Sequence, residues 1–395
     1  MCSFTVIGIS DSSAFRLSPE AAEAVKRGRY FSGGRRHHEL MRDILPPEAV
    51  WTDITVPLAD VFAEYRRHGG ETIVFASGDP LFFGFAGTLQ REFPDAAITV
   101  IPTFNSLQTL AHRLALPYQD MRAISLTGRP WGNLDIPLIE GAELIGALTD
   151  RNHTPAAVAR RMLDYGYDNY MMSVGENLGN PERERVTTVT LAEAASMEWE
   201  MPNCLILRRT YTRPRPLGIP EGDFELLDGR VNMITKMPVR LLTLSMLDLR
   251  GRRSLWDVGF CTGSVSIEAK LQFPHLSVTA FERRPEGARL IETNSRRHGT
   301  PGIESVIGDF MEADLSRYPA PDAVFIGGHG GRLEEILGRI AAVLAPGGTV
   351  VFNSVSGETC RSFMDGAAKA GLTVAGSHRV ALDDHNPITI IKAVK

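Results

Sequence analysis

Trp256-Asp257-Val258-Gly259-Phe260-Cys261-Thr262-Gly263-Ser264 is the stretch on which the fold class turns. The apolar run 255–258 predicts a buried strand, and 264–273 behind it predicts a helix. A strand that turns through glycines into a helix is the unit of a parallel α/β sheet. Ligands of such sheets sit beyond the carboxyl ends of the strands, against a helix N-terminus. Gly259 and Gly263 permit positive φ and close approach of a ligand to the backbone. Outward from this turn the alternation continues. Strands are predicted at 278–281, 304–307, 323–326 and 349–352, and helices at 285–297, 333–344 and 358–370. Strand and helix in turn imply parallel sheets with helices on both faces.

Upstream, 208–223 reads RRTYTRPRPLGIPEGD. Pro214, Pro216 and Pro220 lack a backbone donor, and apolar periodicity stops there. We expect a fairly stiff linker at 211–222, with one domain at 1–210 and a second at 223–395. In the first, strands are predicted at 5–9, 72–76, 98–101, 123–126, 143–148, 170–174 and 204–207, with helical patterns between them such as 19–27. There is no short-period repeat and no low-complexity tract.

Composition excludes several classes. The net charge of −5 disfavours bulk attraction to nucleic acid or an anionic membrane, so an anionic ligand needs local Arg or Lys clusters. The four cysteines, Cys2, Cys204, Cys261 and Cys360, form no C-x-x-C pair and have no His at ligand spacing. No disulfide framework or metal site is expected, and reduced thiols fit a cytoplasmic protein. No apolar run approaches ~18 residues, so no membrane span is expected.

A dinucleotide fingerprint reads G-x-G-x-x-G. Here Cys261 takes the middle glycine's place and the spacing is G-x-x-x-G, which argues against a nicotinamide cofactor. The turn suits a methyltransferase loop, whose ligand carries a methionine moiety and no pyrophosphate. The candidate cofactor-binding residues of the second half are Gly259, Phe260, Cys261, Thr262 and Gly263, with Glu282 at the next strand end for the ribose hydroxyls. Asp309 and Phe310 follow the third strand and are placed for adenine. Cys261 reads as a packed residue and not a nucleophile, for want of a basic partner.

Together with Phe325-Ile326-Gly327-Gly328-His329-Gly330-Gly331-Arg332-Leu333, this turn resembles the decarboxylating precorrin methyltransferases. The resemblance runs from about Gly218 to the chain end and implies a Rossmann-like domain in which Thr235 contacts the cofactor. That family usually has Gly where Cys261 stands. In the first half, Ala76-Ser77-Gly78-Asp79-Pro80-Leu81-Phe82-Phe83-Gly84, Gly33-Gly34-Arg35-Arg36-His37-His38 and Leu148-Thr149-Asp150-Arg151 resemble the tetrapyrrole methylases, specifically the cobalamin branch that methylates C-5. This resemblance implies a two-lobed α/β domain with Ser77, Gly78, Asp79, Phe82, Asn105, Ser106 and Thr149 around the cofactor. Ser10-Asp11-Ser12 and Thr103-Phe104 depart from that family's loops.

The two resemblances imply a bifunctional, S-adenosyl-L-methionine-dependent enzyme of cobalamin biosynthesis. It would methylate C-5 and C-15 of a precorrin-6B-type substrate and remove the ring C acetate carboxyl, giving a precorrin-8-type product. A carboxylate-rich substrate calls for cationic clamps. Arg35, Arg36, His37, Arg129 and Arg151 are the candidate substrate-binding residues. His329 and Arg332, just past a strand end, are the candidate catalytic pair, expected at a substrate carboxylate. Both families self-associate, so a homo-oligomer is expected. A second reading stays open: two methyltransferase folds that sense the cofactor without turnover, motivated by Asp11, Thr103 and Cys261.

Overall fold

The computed structural model describes residues 2–10, 16–382 and 386–395. The chain divides into two compact units. The first comprises Met1–Pro130, Glu143–Arg160 and Tyr170–Thr210; the second comprises Trp131–Ala142, Arg161–Asn169 and Tyr211–Lys395. Residues 211–222, expected as a linker, fall within the second unit, and Ile219 there is buried.

The first unit holds two sheets. In one, β1 (Cys2–Ile9), β2 (Tyr30–Gly33), β3 (Val50–Asp53), β4 (Gly70–Ser77) and β5 (Ala97–Ile101) lie in the order β3-β2-β4-β1-β5. All their pairings are parallel. Alternate side chains of β1 enter different cores, as a strand covered on both faces requires. Phe4 and Val6 pack with Val61, Phe62 and Tyr65 of the helix Leu58–His68, whereas Ile7 and Ile9 pack with Ala21, Ala24 and Val25 of the helix Pro19–Arg27. That second helix starts as its sequence predicts: Pro19 stands in the first turn and the Ser18 hydroxyl accepts from Ala21 N–H.

The second sheet comprises β6 (Arg122–Ser125), β7 (Leu144–Leu148), β8 (Tyr170–Glu176), β9 (Arg185–Thr190) and β10 (Asn203–Arg209), in the order β6-β7-β10-β8-β9. Only β6 and β7 pair in parallel here; β10 lies antiparallel between β7 and β8, and β9 is antiparallel at the edge. The all-parallel expectation therefore does not hold in this sheet. The short β2 and β3 and the threonine-rich, half-exposed β9 carry too little apolar periodicity to be predicted.

The second unit is built on β11 (Ser254–Val258), β12 (Ser277–Glu282), β13 (Ile303–Ile307), β14 (Ala323–Ile326), β15 (Thr349–Ser354), β16 (Thr373–Val380) and β17 (Ile388–Val394). The order is β13-β12-β11-β14-β15-β17-β16, parallel as far as β15, with β17 antiparallel to both its neighbours. The predicted helices appear as Ser264–Gln272, Glu286–His298, Leu333–Val343 and Gly357–Lys369. β16 has no buried face, so its sequence shows no strand alternation.

Trp256 centres this core. Its indole lies edge-on to Phe281 at 5.2 Å, and its Nε1–H donates to the Pro319 carbonyl at 3.1 Å. Trp256→Ala removes that packing and one of the two donors to the carbonyl, leaving the Ser254 hydroxyl at 3.2 Å. The expected loss is about 3–5 kcal/mol, read from chemical unfolding.

Candidate active sites

The first unit encloses a cavity of about 630 Å³. Its wall takes Ile9 from β1, Ser77 from β4, Leu148 from β7, Gly175 from β8, and Asn203 and Cys204 from β10. The turn after β4 reaches it because residue 78 is glycine. Gly78 has φ 65°, its N–H donates to Ile9 O at 2.8 Å, and a methyl there would stand 3.0 Å from Asn105 Cα. Asn105 caps the helix Ser106–Arg113, its side chain accepting from Gln108 N–H at 2.9 Å while Gln108 Oε1 accepts from Asn105 N–H at 3.0 Å. That reciprocal cap fixes Asn105 and Ser106 at the cavity wall.

Of the predicted residues, Ser77, Gly78, Phe82, Asn105, Ser106, Arg36 and His37 line the cavity. His37 Nδ1 accepts from Gly34 N–H at 3.3 Å and its Nε2 lies 3.0 Å from Ser77 Oγ, so the ring couples the Gly-Gly turn to the β4 turn. Asp79 is not in the lining; its carboxylate accepts from Leu81 N–H at 2.9 Å, closing its own turn. Thr149 also lies outside the lining. Its hydroxyl stands 2.6 Å from the backbone and side-chain oxygens of Asn203, which does face the cavity. Arg129 lies over the Phe83 ring at 5.0 Å, and Phe83 is a lining residue. Arg35 and Arg151 are exposed and outside the lining. Asp11 and Ser12 lie outside the described residues.

Among the described lining residues there is no carboxylate; Arg36 and His37 supply the ionisable groups that favour an anion. Phe83, Phe104, Thr127, Leu178, Asn203 and Cys204 are lining residues that the sequence reading missed. Phe104, 60% exposed, had one signal in the sequence, that Thr103-Phe104 departs from the loops of the resembled family. Cys204 is inert at neutral pH, because burial pushes its thiol up to about 12.

The loop bearing Arg151 is tied down by Asp150. Its carboxylate accepts from the N–H groups of Gly128, Asn152 and His153 at 2.7–2.8 Å and lies 3.0 Å from His153 Nδ1. Burial opposes ionisation, but these donors prevail and hold the acid at about 2. A depressed acid contributes stability that is complete above its unfolded value of ~3.9 and is lost as pH falls through the folded one.

In the second unit the glycine turn leads from β11 into the helix Ser264–Gln272. Gly259 has φ 78° and its N–H donates to Phe281 O at 2.8 Å. A methyl on it would stand 2.5 Å from Gly328 N, so the turn and the loop after β14 pass backbone to backbone. Gly263 has φ 76°, and a methyl there would strike Ile291 at 2.7 Å. Cys261 also adopts the left-handed region, with φ 51°. Glu282, at the carboxyl end of β12, folds under the turn and accepts from Cys261 N–H at 2.8 Å and Arg284 N–H at 2.9 Å. Four acceptor positions on a carboxylate leave capacity for a ligand hydroxyl pair. Asp257 sits one layer deeper. Its Oδ2 accepts from Ser266 N–H at 3.2 Å and Ser266 Oγ–H at 2.7 Å. Burial, against those bonds and with the nearby Glu282 charge, pushes it up to about 7.

A tetrapyrrole (corrin/porphyrin) methylase profile matches residues 3–195, and a precorrin methyltransferase domain profile matches residues 228–394. A precorrin-6Y C(5,15)-methyltransferase [decarboxylating] of Sinorhizobium sp. is 34% identical over 370 residues, covering 93% of this chain and 88% of that relative. The chain belongs to the precorrin-6Y C(5,15)-methyltransferase (decarboxylating) family. Two shorter matches, to relatives named for one methylation each, cover separate shares of this chain. The cobalt-precorrin-6B C(15)-methyltransferase (decarboxylating) of Salmonella typhimurium is 42% identical over 37% of this chain and 74% of its own length. The cobalt-precorrin-7 C(5)-methyltransferase of the same organism is 28% identical over 51% of this chain and 98% of its own.

Within this family member, the remaining predicted residues of the second unit fall into two groups. His329 stands beside the glycine turn's partner loop, with Nδ1 accepting from Gly331 N–H at 3.2 Å; burial lowers its pKa, so it is neutral at pH 7 with the proton on Nε2. Arg332 is exposed and has two acidic neighbours. It pairs with Glu335 at 2.7 Å and lies 3.5 Å from Asp309 Oδ2. Asp309 Oδ1 accepts from Met311 N–H at 2.9 Å. The Phe310 ring is buried against Trp256 and Phe281, which leaves its backbone as the part available to a ligand. Phe260 packs on Ala280 and Ile291, Thr262 is buried, and Thr235 is half-buried.

Two outcomes follow for these sites. Asp150→Asn lowers the thermal midpoint at pH 6, and its deficit against wild type shrinks as pH falls toward 2 in scanning calorimetry. Cys261→Gly relieves a left-handed side chain, worth about 1–2 kcal/mol per residue, and raises the unfolding free energy.

Proposed function

We propose that the chain is a bifunctional, decarboxylating C-methyltransferase of cobalamin biosynthesis that uses S-adenosyl-L-methionine at two independent sites. The first unit methylates C-5, and the second removes the ring C acetate carboxyl and methylates C-15 of a precorrin. One observation carries this reading: each unit has, at the carboxyl ends of parallel strands, a turn with a positive-φ glycine packed against neighbouring backbone, where a ligand can lie against backbone.

The cofactor supplies a methyl group already activated on a sulfonium, so neither site needs a nucleophilic side chain. What the chain contributes is alignment, and proximity alone is worth ~7–11 kcal/mol. In the first unit Ser77, Gly78, Asn105 and Ser106 hold the cofactor, and Arg36 and His37 face substrate carboxylates. In the second, the 259–263 turn, Glu282, Asp309 and the Phe310 backbone hold it. His329 presents Nε2–H to the acetate carboxylate. When that carboxylate leaves as carbon dioxide, the electron pair of the broken C–C bond passes into the macrocycle, and the side-chain carbon takes a proton. Thr149 and Arg129 act through Asn203 and Phe83.

No helix among the described residues is long and apolar enough to cross a membrane. We place the enzyme in the cytoplasm as a homo-oligomer; light scattering of the purified chain tests the second point.

Incubation of the full chain with precorrin-6B and S-adenosyl-L-methionine should add two methyl groups and remove one carbon dioxide by mass spectrometry. Gly78→Val, which drives a side chain into the Asn105 backbone, should abolish one methylation only. Glu282→Ala should impair the other together with decarboxylation. Loss of both reactions in either variant would defeat the two-site reading.

A further inference from the structure

We propose that the buried ion pair Arg240–Glu268 is a positioning device that registers the segment 218–236 against the glycine turn and so sets one wall of the second unit's cofactor site. The proposal rests on the reading of that site given above.

Both side chains are wholly buried, with Arg240 Nε 3.3 Å from Glu268 Oε2. The carboxylate also accepts from the N–H groups of Gly218 and Ile219, each at 2.9 Å. The guanidinium donates through Nη1 to the Thr235 carbonyl at 2.8 Å and through Nη2 to the Ile219 carbonyl, and it stacks 5.1 Å from the centre of the Phe224 ring. One pair thus grips the segment at its start, Gly218 and Ile219, and at its end, Thr235. Between these points the segment has 3₁₀ turns at Glu221–Asp223 and Leu227–Gly229 and no strand pairing; buried Ile219, Phe224 and Ile234 hold it against Ile267 and Leu271 without direction, and side-chain hydrogen bonds set its register. The pair's own supports are regular. Arg240 belongs to the helix Met237–Leu247. Glu268 belongs to the helix Ser264–Gln272, which opens at Gly263.

Stability alone does not call for this arrangement. Removing two charges from water is costly, and well-packed apolar residues of similar size are often as stable. An apolar pair has no directionality, whereas the guanidinium fork and the carboxylate fix specific carbonyl and amide groups. Their partners here all belong to one segment, and that segment meets the glycine turn through Asn294, whose side chain accepts from Glu225 N–H at 2.7 Å and whose Nδ2–H donates to the Glu225 and Thr262 carbonyls at 3.1 and 3.0 Å.

The test uses the full chain, with S-adenosylhomocysteine titration for binding and separate product assays for the two methylations. Arg240→Lys keeps the charge opposite Glu268 but loses the fork that reaches both carbonyls. Expected is a rise of about tenfold in KM for S-adenosyl-L-methionine in C-15 methylation, the scale on which outer-shell partners tune a bound group. The kcat should change far less, and C-5 methylation should be unaffected. The double variant Arg240→Met, Glu268→Leu should fold cooperatively and show the same KM defect. A folded Arg240→Lys protein with wild-type KM overturns the proposal, as does a variant that loses kcat at unchanged KM. Gly259→Val separates the two levels. If it leaves the second binding event intact, the site reading itself fails; if it abolishes that event while the Arg240 variants bind normally, only the positioning role fails.

Discussion

The backbones of Gly259 and Gly328 pass so closely that no side chain fits between them. Everything at the ligand end of the second unit follows from that approach. It forces the turn after β11 into positive φ, brings the loop after β14 over it, and leaves peptide groups as the surface a ligand meets. The first unit obeys the same rule with other residues. A methyl on Gly8 would stand 2.1 Å from Gly78 O, so β1 and the β4 turn meet without side chains between them. Two unrelated sheets thus reach one solution, because a bulky ligand needs the carboxyl ends of parallel strands left bare.

The acids near both sites are spent on the backbone. Asp79, Asp150, Asp257, Glu282 and Asp309 each accept from at least one nearby backbone N–H. These bonds fix turns that would otherwise sample many conformations, and the cost of ordering falls in folding and not in binding. In the first unit, Asp79 and Asp150 are outside the cavity lining, whose described residues include Arg36 and His37 and no carboxylate. A chain with net charge −5 can therefore receive a polyanion locally.

Legibility from sequence tracked the range of the interaction. The 259–263 turn and Glu282 were readable because strand, turn and helix lie within a short stretch. The Asp79 role was not, since a Gly-Asp-Pro turn reads alike whether its carboxylate faces a ligand or its own Leu81 amide. The pairing of Arg332 with Asp309 was not legible, because Asp309 lies on a different loop, 23 residues away in the chain. Asn203 and Cys204 were missed because β10 inserts antiparallel between β7 and β8, a pairing that no local pattern announces.

By itself the amino-acid sequence determined the α/β class, the glycine-bearing turns and the alternation that places helices over strands, because these depend on local sterics and on which residues avoid water. Only the tertiary structure decided which carboxylates bind backbone, which cations remain turned toward a cavity, and that 218–236 is held by Arg240 and Glu268. Those outcomes depend on distances between residues remote in the chain, and hydrogen bonding discriminates at a few tenths of an ångström, finer than any pattern of residue types records.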